Sequence, residues 1–435
     1  MAGCGAMRML ALLKNPRFLV MLALGFSAGA PLPLLLGILR RWMTESGISL
    51  TEIGMTALIG LPYSLKFLWS PLLDNARPPL FRAWGRRRGW LAVIQPLLML
   101  AILAMGMTDP AVAPLATVCA AIAVAFLSAS QDIVIDAYRI EMLEEREQGF
   151  GLAGYVWGYR LALLAVGAGV LALSEQWGWS LAFAYAAALV LVGFAAVWLG
   201  PDVLSPRPPA PLGDLATRLR IAVVHPFTDF MRRRYWLPIL LFVALFKLGE
   251  ALAAVMVTPF QAQLGFTRTE VAQVGSVFGL IATLLGALAG GWLVARIGTA
   301  RALVLTGLAQ MLSNVMYIWL AYAGHDMTVF YLQTGVENFT DGLADAAFLT
   351  YLSALTSRAF TATQYALLSS LAAVGTRTVG AFSGSLAEAL GWPGFFTLTM
   401  LAALPAMGIM LFLLRRLPPP PRPAVLATAG GPEVG

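Results

Sequence analysis

Apolar residues occupy this chain in long runs, without the alternation of a half-buried strand or the single stripe of a surface helix. Twelve such runs can be read, at 17–38, 53–73, 90–107, 112–137, 151–174, 180–200, 236–261, 270–295, 301–323, 327–355, 362–389 and 393–414. Each is close to the roughly 20 residues that an α-helix needs to cross a hydrocarbon core. Lipid offers no hydrogen-bond partner to exposed backbone groups, so these runs must be helical. The predicted class is an all-α membrane protein with twelve transmembrane helices.

The polar residues between the runs are unevenly distributed. Even-numbered loops hold the Arg77 to Arg88 group, Arg139 and Arg146, Arg207 to Arg234, Arg296 and Arg301, and Arg358, whereas the odd-numbered loops hold only Arg40, Arg41 and Arg268. Basic residues are retained on the cytoplasmic side, so both termini are expected there. Composition agrees: 59% of residues are hydrophobic and only 12% charged, too apolar for a soluble domain. The net charge of +7 sits in the short loops, which accounts for it without nucleic acid. Cys4 and Cys119 are the only cysteines, so neither a disulfide framework nor a thiolate metal site is expected. Arg8, Lys14 and Arg17 precede a first run that is followed by eleven more, the pattern of an insertion signal kept as the first span.

Self-similarity divides the chain. Gly47-Ile-Ser-Leu-Thr-Glu52-Ile-Gly, before run two, returns 218 residues later as Gly265-Phe-Thr-Arg-Thr-Glu270-Val-Ala, before run eight. Gly158-Tyr-Arg160 returns as Gly375-Thr-Arg377, and Gly178-Trp179 as Gly391-Trp392. An offset of six spans gives two copies of the same orientation, the parallel repeat of the major facilitator superfamily. The expected organisation is an N-terminal six-helix bundle (1–200), a cytoplasmic linker with an interfacial helix (201–235), a C-terminal six-helix bundle (236–417) and a disordered tail (418–435). Gly25-xxx-Gly29, Gly286-xxx-Gly290 and Gly380-xxx-Gly384 allow close helix packing. Asp74 with Arg86, Arg87 and Arg88 resembles the superfamily's cytoplasmic gate signature, which an acid exchanging partners between two states would operate; Arg139 is assigned to the same gate.

Ionisable residues inside apolar runs are costly unless they face a cavity or a partner. Arg160 and Arg377 fall near mid-span at equivalent depths in runs five and eleven. Ala373, Gly380, Ala381 and Gly384 on the face of Arg377 are small enough to leave space above a guanidinium, which suits a carboxylate or phosphate on a cargo. Asp132 and Asp136 share a face of run four with Ser128 and Arg139. Glu337, Asp341 and Asp345 share one of run ten, where Asn338 follows Glu337. Two readings stay open for the acids: they neutralise the arginines across the bundle, or they release them on protonation and so couple cargo to protons. Lys66 in run two and the Lys247/Glu250 pair in run seven complete the set. Tyr63, Trp69, Trp157 and Tyr159 can stack on sugar faces or anchor the chain in lipid. The assignment is Arg160, Arg377, Lys66, Trp157, Tyr159, Tyr63, Glu337 and Asn338 to the cargo, and Asp132, Asp136, Asp341 and Glu250 to the proton.

Four segments carry a resemblance to a known family: Phe67-Leu-Trp-Ser-Pro-Leu-Leu-Asp74, Gly85-Arg-Arg-Arg-Gly-Trp90, Ser130-Gln-Asp-Ile-Val-Ile-Asp-Ala-Tyr-Arg139 and Phe360-Thr-Ala-Thr-Gln-Tyr-Ala-Leu-Leu-Ser369. They are similar to the AmpG family of muropeptide permeases, over about residues 14–414. The resemblance implies import of N-acetylglucosaminyl-1,6-anhydro-N-acetylmuramyl peptides across the bacterial inner membrane, driven by the proton motive force without a cofactor, for peptidoglycan recycling. In some bacteria that flux also governs β-lactamase induction. It marks Gln131, Asp132, Asp136 and Arg139, and Gln364 at the start of run eleven, with Gln131 and Gln364 on the cargo. Some members of the family have two additional spans, for which this chain has no room. A Gln-Asp motif also occurs in acetyl-CoA transporters, so another bulky anion is the alternative cargo, and a non-transporting sensor of wall fragments the alternative role.

Other mechanisms are disfavoured. Lys14, Lys66 and Lys247 are the only lysines and none follows a Gly in a phosphate loop, which argues against an ATP-driven pump. His225 and His325 are the only histidines, and no HExxH motif occurs, which argues against a hydrolase. A monomer that transports its cargo is expected.

Overall fold

The computed structural model describes residues 16–75, 78, 84–143, 148–200, 231, 235–354 and 373–416. Nearly all of these are helical, and no strand occurs among them. In chain order the helical segments are α1 (Pro16–Glu45), α2 (50–75), α3 (Arg86–Gly106), α4 (Pro114–Met142), α5 (Gln148–Trp177), α6 (Trp179–Leu199), α7 (Trp236–Gln263), α8 (Arg268–Ile297), α9 (Thr299–Ala323), α10 (Met327–Ala354), α11 (373–390) and α12 (392–416). Most of the expected linker, the tail from 417 and the first part of the expected eleventh span lie outside the described residues.

Nine helical stretches among the described residues are long and apolar enough to cross a membrane. The difference from twelve has local causes. The second run is broken into short α and 3₁₀ pieces around Thr56–Gly60, Pro62 and Lys66–Leu68. The tenth forms one 28-residue helix, but Glu337, Asp341 and Asp345 make its hydropathy too low. The eleventh is described only from residue 373 and joins the twelfth across Gly391, whose φ of 66° turns the chain.

The packing repeats between halves. Helix α1 lies along α5 as α7 lies along α11; α3 packs on α4 and α6 as α9 packs on α10 and α12. Glycine sets the closest approaches: a Cβ on Gly25 would stand 2.0 Å from the carbonyl oxygen of Tyr155, and one on Gly286 2.0 Å from that of Phe339. Among the contacts that cross between halves, α2 with α11 and α5 with α8 mirror each other.

The sequence repeat at Gly47 and Gly265 is a pair of identical helix starts. Both glycines take the left-handed φ, at 78° and 87°. Ser49 caps α2 and Thr267 caps α8, each in a capping box closed by Glu52 or Glu270. The next free amide of each helix goes to the other half. Glu388, on α11, accepts from the backbone N–H of Thr51 at 3.1 Å and from its hydroxyl at 2.6 Å. Glu175, on α5, accepts from the same two groups of Thr269, both at 2.6 Å. A carboxylate at a helix N-terminus satisfies orphan donors and meets the positive end of the helix dipole. Arg41 and Arg268 complete this end. Arg41 donates to the carbonyl of Phe266 at 2.7 Å, and Arg268 reaches across to Glu45 and to the Ser174 carbonyl, each at 2.5 Å, over the Trp179 ring. The halves are thus sealed at the end carrying loops 45–50, 174–179, 263–268 and 388–392, called the distal end below.

Candidate functional site

Beneath the distal seal lies a cavity of about 700 Å³. Both halves contribute to it, unequally. The first half supplies mainly Pro33 to Ile38, Arg40, Ala57, Gly167 and Leu171; the second supplies side chains of α7, α8, α9, α10 and α11. Two wall segments leave regular α geometry for a π-helical turn, Leu34–Ile38 of α1 and Ala272–Phe278 of α8. Such turns widen a helix locally, which is how these two bend around a space.

One pole of the cavity is acidic and fully bonded. Lys247 lies 9% exposed on α7 and donates to Glu250, to Asp341 at 3.0 Å and to Asp345 at 2.7 Å. Gln310, on α9, donates to Glu250 at 2.8 Å and to Asp341 at 3.2 Å. Glu337 accepts from Ser313 at 3.1 Å. The i, i+4, i+8 stripe read from the sequence is therefore one wall of the cavity. One buried ammonium is thus shared by three acid side chains.

Two arginines line the same cavity. Arg377 of α11 donates to Ser64 at 3.2 Å and stands 6.0 Å from the centre of the Tyr63 ring. It crosses into the first half, where Gly60 leaves the room: a Cβ there would sit 1.4 Å from the guanidinium. Arg40 lies within its electrostatic reach. This residue, counted above among the loop arginines, is 5% exposed and lines the cavity; it donates to Thr56 and to the Ala254 carbonyl, both at 3.2 Å. The loop count misplaced it because the helix continues beyond the end of the apolar run, through Trp42 and Met43 to Glu45. That continuation of large apolar residues past Arg40 was the available signal.

The remaining assignments divide. Asn338 lines the cavity and accepts from Thr283 at 3.1 Å. Arg160 does not line it, but shares a face of α5 with Gly167, which does, and lies within electrostatic reach of Asp345. Trp157 is exposed one turn further along that face. Asp132, on α4, lies near Lys66, Tyr63, Tyr155, Tyr159 and Asp136; its Oδ1 is buried with no hydrogen-bond donor among the described residues. Asp136 pairs with Arg139 at 3.8 Å. Gln131 is turned away from the cavity: fully buried, it donates to the Ser27 carbonyl at 2.9 Å and accepts from the Ser27 hydroxyl at 3.2 Å, tying α4 to α1. Of the gate residues, Arg86 and Arg87 both hold Glu141 of α4, at 3.2 and 2.7 Å, and Arg88 donates to the carbonyls ending α6. Gln364 and the side chain of Asp74 lie outside the described residues. No group of three or more His, Cys, Asp or Glu placed to hold a metal ion occurs among the described residues.

Comparison with known proteins agrees with this architecture. The family model described as the Major Facilitator Superfamily matches residues 17–337 and again 243–433. A crystal structure of a bacterial homologue of the human lysosomal transporter Spinster, inward-facing and unoccupied, superposes with a TM-score of 0.71 at 15% identity, over 92% of this chain and 98% of its own; at that identity the likeness is one of fold. The anhydromuropeptide permease of Escherichia coli K12 is 40% identical over 405 residues, covering 92% of this chain and 80% of its own. An AmpG 4 transporter of Rickettsia felis is 36% identical over 402 residues, covering 92% and 97%. The chain belongs to the major facilitator superfamily and, within it, to the family of AmpG transporters.

Proposed function

We propose that this protein imports anhydro-muropeptides, N-acetylglucosaminyl-1,6-anhydro-N-acetylmuramic acid and its peptides, by proton-coupled alternating access across the bacterial inner membrane. The observation that carries the reading is identity of 40% to an anhydromuropeptide permease across nearly the whole chain. The cavity supports it: 700 Å³ accommodates a disaccharide, and its opposed charges suit a cargo rich in carboxylates and amides. The Arg-poor distal end is assigned to the periplasm, which makes the described state inward-facing and places both termini in the cytoplasm.

Transport then proceeds as a rocking of the halves. Cargo enters from the periplasm when the Glu388–Thr51 and Glu175–Thr269 contacts part, and leaves toward the cytoplasm when they re-form. Asp132, whose free oxygen offers a place for a proton, Asp136, Glu250 and Asp341 are assigned to proton carriage. Arg377, Glu337 and Asn338 are assigned to the cargo, with Arg160, Lys66, Tyr63, Trp157 and Tyr159 on the path below. Gln131 is assigned a supporting role. The transporter acts as a monomer.

The test is uptake of labelled anhydro-disaccharide tripeptide into proteoliposomes. Accumulation driven by an inward proton gradient and abolished by a protonophore is expected. Competition by acetyl-CoA at comparable concentration, with no effect of unlabelled muropeptide, would falsify the cargo assignment.

A further inference from the structure

Two arginines that line the cavity come from different halves, and that arrangement has a chemical use. Arg40 is carried by α1 and Arg377 by α11. Each is anchored through its Nε, to Thr56 and to Ser64, which fixes the plane of its guanidinium. Arg40 spends one terminal nitrogen on the Ala254 carbonyl. No carboxylate forms an ion pair with either among the described residues, although Glu250, Glu337, Asp341 and Asp345 line the same cavity.

Two cations drawn out of water and placed near each other repel, and among the described residues neither has an acid paired with it. In the other arginines this chain buries or half-buries near the distal end the opposite holds: Arg41 and Arg268 share Glu45. An unpaired couple is retained at a cost unless an anion from elsewhere completes it. A planar carboxylate matches a guanidinium fork in geometry and charge. Access is provided, because both side chains line the cavity.

We propose that Arg40 and Arg377 together form a carboxylate site that bridges the two halves, so that the cargo is read by an acid group. The assignment of Arg40 is new, and the site rests on the muropeptide reading only for the identity of the molecule that carries the carboxylate. In the peptide-free anhydro-disaccharide that group is the single lactyl carboxylate. An anion between the halves also replaces their repulsion by attraction to a shared centre, which favours closure over the cargo. Affinity and closure thus depend on the same group.

The experiment measures competition against uptake of labelled anhydro-disaccharide by the full-length transporter in proteoliposomes. The competitors are the unlabelled disaccharide and its lactyl methylamide, which differ by one charge. The wild-type protein should prefer the acid by about tenfold or more, the scale of a charge-assisted hydrogen-bonded pair. Arg40→Gln and Arg377→Gln should each bring the two competitors to within about twofold of each other, while Arg40→Lys should keep part of the preference. That ratio separates recognition from scaffolding, because loss of the Arg40 contacts to Thr56 and Ala254 alone lowers uptake of both compounds together. Equal competition by acid and amide in the wild type, or a ratio unchanged in both Gln variants, overturns the site and leaves the muropeptide reading standing. Failure of both compounds to compete in the wild type removes the muropeptide reading, and the carboxylate site with it.

Discussion

The halves of this molecule are built alike and charged differently. In the second half Lys247 is enclosed by Glu250, Asp341 and Asp345, Gln310 bonds two of those acids, and the lysine and its three acids line the cavity. In the first half Asp132 sits among tyrosines near Lys66, keeps its Oδ1 without a hydrogen-bond donor among the described residues, and lies off the cavity wall. The scaffold, by contrast, is duplicated down to the cap: Ser49 and Thr267, Glu52 and Glu270, Thr51 and Thr269 do the same work. The repeat therefore preserves what lets the halves rock and releases what each half binds. A tight network holds the shape of a pocket. A loose acid among hydroxyls is free to change its proton.

Removing the one cation of the tight network is the sharpest way to test that contrast. Lys247→Met strands three carboxylates in a buried site, a change worth about 3–5 kcal/mol where one partner of a buried ion pair is lost. A large drop in the thermal unfolding midpoint in detergent and loss of uptake are expected. Pairing it with Asp341→Asn should recover part of the midpoint, since fewer charges are then left over. Lys66→Met should move the midpoint little, because no hydrogen bond or ion pair of Lys66 occurs among the described residues. Equal effects of the two lysine substitutions would mean that the halves do not differ in the way described.

The next effect is on coupling rather than on stability. Asp132→Asn keeps shape and removes the charge, so concentrative uptake should fall at least about tenfold while exchange of labelled for unlabelled cargo persists, the mark of a carrier that still rocks but no longer moves a proton. Persistence of concentrative uptake at the wild-type level would make Asp132 a structural acid. Asp341→Asn, which loosens the Lys247 enclosure, should reduce exchange and concentration together.

How much of this was readable in the chain depends on whether a feature is local. The capping boxes were visible as a repeated Gly-x-Ser/Thr-x-Thr-Glu because a helix start is written in consecutive residues. The acidic wall of α10 was visible because i, i+4, i+8 spacing fixes a shared face without knowledge of any other helix. Arg40 was not, since its depth depends on where α1 ends, and apolar runs define that only to within a turn. Nor was the role of Gln131: the residue is picked out by family resemblance, but only the packing of α1 against α4 reveals that it meets Ser27. The crossing of Arg377 into the space over Gly60 is likewise a contact between distant parts of the chain.

The smallest effect concerns the shared scaffold, where the halves should respond equally. Glu388 and Glu175 each bind a backbone amide and a hydroxyl at the start of a helix in the opposite half. Both are solvent-facing, so each contributes only what an exposed carboxylate at a helix N-terminus contributes, and Glu→Gln at either should raise the ratio of distal-open to distal-closed molecules about two- to fivefold. Spin labels on Trp177 and Tyr322, exposed near the distal end of the first and second halves, report that ratio as a distance distribution. The double variant should add the two shifts, because the contacts lie on separate helix pairs. If Glu388→Gln opens the distal end and Glu175→Gln leaves it closed, the seal is carried by α2 and α11 alone, and the matching geometry of the second contact is inherited form without a share in closure.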